Sequence, residues 1–97
     1  MARLHLLSKS INANGLERGI ARFLAPDDQL LFIGDSVNAL LQISVQQVLK
    51  SLTGPVFALQ ADISCRGLAS KMPAYIQVID DVQMVGLTIE NEQVISW

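Results

Sequence analysis

The run Leu30-Leu31-Phe32-Ile33, apolar at every position, constrains this chain more than any other feature. A strand with one wet face alternates apolar and polar side chains. A strand with no polar position must be covered on both faces, as in a parallel sheet between helices. The flanking sequence supplies the other strands and helices. Leu4-His5-Leu6-Leu7 reads as a first buried strand, Val56-Phe57-Ala58-Leu59 as a third and Tyr75 to Ile79 as a fourth. Asn14 with Glu17 three residues on resembles a capping box, and Leu16, Ile20, Phe23 and Leu24 then share one helical face until Pro26 stops the helix.

Asp35 is placed to cap a helical stretch from Val37 to Leu52, which is one helix or, broken at Ile43-Ser44-Val45, two. Asp62 is placed to cap a short helix ending near Gly67, and Asp80 caps the next segment. Within 82–89, Val82, Val85 and Ile89 suit a helix, whereas Val85, Leu87 and Ile89 alternate like a strand. The tail Gln93 to Trp97 adds an edge strand or docks on a neighbour. The βαβαβαβα order and right-handed crossovers predict an α/β fold. It is a small doubly wound, mainly parallel sheet of four strands, or five if the tail pairs, flanked by helices. Residues 1–97 suit one domain.

The chain is 51% apolar but only 16% charged, against roughly 25% in an average soluble domain. A small domain has much surface for its volume, so some apolar surface is expected to be covered by another chain. The seven Lys and Arg residues are scattered through a chain of net charge -2. Phosphate-backbone binding needs clustered cations, so direct nucleic-acid binding is not expected. No apolar run is long enough for a membrane span, and MARLHLLSKS makes no convincing signal peptide. With one cysteine there is no internal disulfide, which fits a cytoplasmic protein.

Reactive groups of parallel sheets gather at the strands' carboxyl ends. Those ends supply Ser8, Lys9 and Ser10, then Asp35 and Ser36, then Gln60 and Asp62, then Asp80 and Asp81. There is no phosphate-cradling glycine motif, and one His with one Cys cannot make the usual structural zinc site. No cofactor or metal is therefore expected. Cys65 is the one candidate nucleophile. With Asp62 as cap it would sit in the first helical turn beside Arg66, where amides and positive charge favour a thiolate. It is otherwise a small packing residue. His5 reads as a satisfied strand residue, and Trp97 as an interface anchor or a residue folded back on its own domain.

The opening Leu4-His5-Leu6-Leu7-Ser8-Lys9-Ser10 resembles the start of TusB/DsrH proteins. Leu31 to Ala39 is similar to their second strand and turn, and Leu59 to Leu68 to their Asp and Arg-Gly-Leu segment. Ile79-Asp80, Val85, Leu87 and Thr88, with the closing Gln and Trp, extend the likeness along the chain. The resemblance implies a DsrE-like fold and a subunit of a sulfur-relay complex. In the tRNA thiolation branch the partners would be TusC-like and TusD-like chains in a heterohexamer, passing persulfide sulfur toward the wobble 2-thiouridine. The alternatives are a sulfurtransferase in a DsrEFH-like sulfur-oxidation complex, with Cys65 as persulfide site, and a stand-alone homo-oligomeric binding domain. Some DsrH-type members carry a first-helix cysteine, where this chain has Gly19 or its neighbour. The carrier subunit's cysteine position falls at Leu59 and Gln60, and Ile11 replaces a common proline. The departures favour a subunit without a catalytic residue of its own.

Overall fold

The computed structural model describes residues 3–97. Five strands form one sheet: β1 (Arg3–Leu7), β2 (Gln29–Phe32), β3 (Val56–Leu59), β4 (Gln77–Ile79) and β5 (Gln93–Ser96). Their order is β4-β3-β2-β1-β5, and every neighbouring pair is parallel. The tail is thus an edge strand, with Leu4 beside Val94 and His5 beside Ile95.

The crossovers explain the layering. From β1 to β4 the chain steps in one direction, so right-handed connections place their helices on one face. These are α1 (Ala13–Arg18), α2 (Ile43–Lys50) and α3 (Gln60–Cys65), with 3-10 turns at Ile20–Phe23, Gly34–Leu41 and Ala69–Lys71. Leu7, Leu30, Phe32, Val56 and Ala58 meet Leu16, Val37, Leu40, Val45 and Ile63 there in the main core. The step from β4 back to β5 runs the other way and puts α4 (Asp81–Glu90) on the opposite face. There Leu4, Leu31, Phe57 and Ile79 form a smaller core against Met84 and Leu87.

Several local expectations change. Asn12 caps α1, its side chain accepting from the Gly15 amide at 2.7 Å, so the Asn14 assignment was two residues late. The first helix ends at Arg18, and Phe23 is exposed. The stretch after β2 is broken at Gln42 into a 3-10 segment and α2. Asp35 lies in the first turn of that segment without capping it. Gly34 has φ of +56°, which lets the chain turn sharply out of β2. Segment 82–89 is helical, opened by a full capping box between Asp80 and Gln83.

Within α4, a Cβ built on Gly86 meets nothing within 4 Å. Gly86→Ala is therefore expected to stabilise the isolated chain by about 1 kcal/mol, since alanine restricts the unfolded chain and favours the helix. Thermal unfolding followed by circular dichroism should show a midpoint about 4–8 °C higher.

Candidate functional site

The carboxyl edge of the sheet brings together Asp35, Asp62 and Arg66. Asp62 does not cap α3; the cap position is Leu59, and no side chain serves it. One Asp62 oxygen instead accepts the Gly34 amide at 2.8 Å, tying the turn after β2 to α3. The Arg66 guanidinium lies 2.9 Å from Asp35 and 3.7 Å from the other Asp62 oxygen, and it also donates to the Asp62 carbonyl. Ser36 is buried, its hydroxyl aimed at the Leu7 and Ile33 carbonyls. These polar groups are committed to holding loops against one another.

Cys65 is exposed, but its setting differs from the expected one. It is the last residue of the six-residue α3, because that helix begins at Gln60 rather than after Asp62. Carbonyls, not free amides, gather at that end of a helix. Arg66 is turned to the two aspartates. Both features expected to favour a thiolate at Cys65 are thus spent elsewhere or lie at the wrong end of the helix. Among the described residues, no three His, Cys, Asp or Glu side chains converge as metal ligands.

The amino edge holds a more tightly built cluster. Asp28, which the sequence reading passed over, sits just before β2 and is buried. One of its oxygens accepts the Arg3 amide at 3.1 Å. The other takes the Arg3 guanidinium at 2.9 Å, His5 Nε2 at 2.9 Å and the Ala25 amide at 3.1 Å. Burial alone would raise the Asp28 pKa, but the donors from His5, Ala25 and Arg3 prevail and lower it from 3.8 to about 2.

His5 is wholly buried, and its other nitrogen, Nδ1, accepts the Trp97 indole N–H at 3.0 Å. An indole only donates, so Nδ1 carries a lone pair and Nε2–H points to Asp28. The Trp97 ring stacks on His5 with centroids 6.0 Å apart and also touches Phe23. His5 is therefore satisfied, and Trp97 is folded back on its own domain. A cavity of about 190 Å³ lies beside the cluster between Leu24, Pro26, Leu52 and Gly54. Asp28 is its one ionisable lining residue and is already fully partnered. The cluster is a structural clasp: Asp28 and Arg3 hold it at the end of the sheet opposite to where parallel folds bind ligands, and Trp97 reaches His5 from the end of β5.

Comparison with known proteins agrees with this architecture. A solved structure, the ychN protein of Escherichia coli, superposes with a TM-score of 0.72 over 100% of both chains at 21% identity, a likeness of fold. Protein TusB of an Enterobacter species is 35% identical over 95 residues, covering 97% of this chain and 99% of the relative. Protein TusB of Photorhabdus laumondii is 35% identical over 79 residues, covering 80% and 83%. Protein TusB of Escherichia coli K12 is 31% identical over 81 residues, with the same coverage. The family described as DsrH like protein matches residues 4–94, and the chain belongs to that family.

Proposed function

We propose that this chain is a non-carrier subunit of a cytoplasmic sulfur-relay complex, working with TusC-like and TusD-like chains toward 2-thiouridine at the tRNA wobble position. The observation that carries the reading is the state of the carboxyl edge. Arg66 lies between Asp35 and Asp62 and offsets part of their charge, and Cys65 sits at the carbonyl end of α3 rather than among free amides. The chain supplies shape and orientation, and a sister subunit supplies the reactive sulfur. The low charged fraction supports the same reading, because apolar surface is left for neighbours to cover. No described helix is long and apolar enough to cross a membrane.

The exposed thiol of Cys65 favours one competing reading, in which it carries the persulfide itself. Cys65→Ser separates the two. In a strain lacking the natural gene, the serine variant is expected to restore wobble thiolation to within about twofold of wild type, since exchanging the sulfur of an exposed side chain for oxygen costs little stability. Nucleoside mass spectrometry reads the result. Loss of 2-thiouridine, together with an adduct of about 32 Da on wild-type Cys65 after treatment with a persulfide donor, would transfer the carrier role to this chain.

A further inference from the structure

Helix α4 carries two apolar stripes on opposite sides. At about 100° per residue, Met84 and Leu87 point to the sheet, and Val82, Val85 and Ile89 cluster within about 60° on the far side. The far stripe is open: Val82 is 80% exposed, Val85 55% and Ile89 77%. Gly86 belongs to this outer side, and nothing in the chain's own packing requires a glycine there. It leaves a notch in the stripe where another backbone can approach closely, at a cost in helix stability.

The sheet beneath is also incompletely covered. One helix is about 10 Å wide, whereas five strands span about 20 Å. Val94, on the same face as Leu4, stays 41% exposed. The ionic residues carried by α4, β5 and the turns at their ends have a single sign. Asp80, Asp81, Glu90 and Glu92 are all exposed, and no Lys or Arg occurs from Met72 to Trp97.

The geometry points to α4 and its flanking strand edge as the docking face for a different chain, whose contact surface is apolar and rimmed by Lys or Arg. The inference rests on the relay-subunit reading for the partner's identity as a sister subunit. Charge decides against a second copy meeting this face with its own, because that would bring carboxylates against carboxylates. An apolar centre within a complementary charged rim is the usual anatomy of a specific interface.

The test uses the whole chain and its TusC-like and TusD-like sister chains, with affinity and association rate measured by surface-immobilised binding. One variant carries Val82→Lys and Ile89→Lys, and a second carries Val82→Glu and Ile89→Glu. A third, Glu90→Lys with Glu92→Lys, alters only the rim; lysine suits the end of a helix, so folding is preserved. Circular dichroism and melting confirm that each variant remains folded. The lysine pair is expected to weaken binding at least about tenfold more than the glutamate pair, because it opposes a basic rim. The rim variant should slow association at low salt at least about tenfold.

Wild-type binding that the lysine pair leaves intact overturns the docking face while the relay reading stands. A glutamate pair weaker than the lysine pair overturns the basic partner surface. Concentration-dependent wild-type dimers that the lysine pair abolishes make a second copy the occupant and also overturn it. Wild type that ignores both sister chains sinks the relay reading and this inference together.

Discussion

Asp28→Ala is expected to lower stability by about 3–5 kcal/mol, the cost of breaking a buried ionic cluster on one side. For a domain of this size that is a melting point at least about 12 °C lower. The loss exceeds that of a single hydrogen bond because one carboxylate serves three groups. His5, Arg3 and the Ala25 amide would all lose a partner, and Arg3 would keep only its bond to the Phe23 carbonyl and its contact with water. Gly54 adds to the rigidity of the site: a Cβ there would lie 1.9 Å from the Asp28 carbonyl oxygen, so the loop before β3 presses on the same residue.

The cluster also makes stability depend on acid. Asp28 has a pKa of about 2 in the fold against 3.8 for an ordinary aspartate. A lowered folded value means that the unfolded chain takes up the proton first. The stabilisation is complete above the ordinary value and disappears as pH falls from about 4 to about 2. It amounts to about 2 kcal/mol. Urea unfolding of wild type and Asp28→Asn should show a stability gap that narrows by about this amount between about pH 5 and about pH 2. A constant gap would refute the assignment of the charged form to Asp28.

Trp97 gives the second large effect. Trp97→Phe keeps a ring against His5 and Phe23 but removes the one donor to a buried Nδ1 among the described residues, a loss of about 1–3 kcal/mol. Trp97→Ala also forfeits ring contact and should cost about 3 kcal/mol, the low end for a large aromatic because the residue is 36% exposed. Asp28 and Trp97 grip opposite nitrogens of one imidazole. Their effects should therefore fall short of additivity by about 0.5–3 kcal/mol in a double-mutant cycle of chemical denaturation. Strict additivity would mean that His5 does not link them.

Much of the sheet was legible because buried parallel strands leave dense apolar runs. Leu30 to Ile33 and Val56 to Leu59 locate β2 and β3 to within a residue. Helix boundaries were harder to read because nearby polar residues compete for the same roles. Asn12 and Asn14 both look like caps, and only the local chain path chooses Asn12. Asp62 resembled a cap until the Gly34 amide, brought close by the packing of β2 beside β3, gave its carboxylate another partner. Segment 82–89 was ambiguous because both sides of α4 are apolar; the Val82, Val85 and Ile89 pattern that suggested a helix is its outer side, not its core side. Asp28 went unnoticed because its partners, Arg3 and His5, are more than twenty positions away. A polar residue directly before a buried strand, with a lone histidine in the neighbouring strand, was the available signal.

The pairing of the last strand with the first has a consequence for how the molecule is made. The Trp97–His5 contact joins residues 92 apart. During synthesis, β1 emerges well before β5 and lacks one of its two neighbours until residues 93–96 have left the ribosome. Meanwhile its open flank is a template for wrong pairing. Long-range closure of this kind also slows folding. Nascent chains therefore pass through a vulnerable interval that ends only when β5 slots in beside β1.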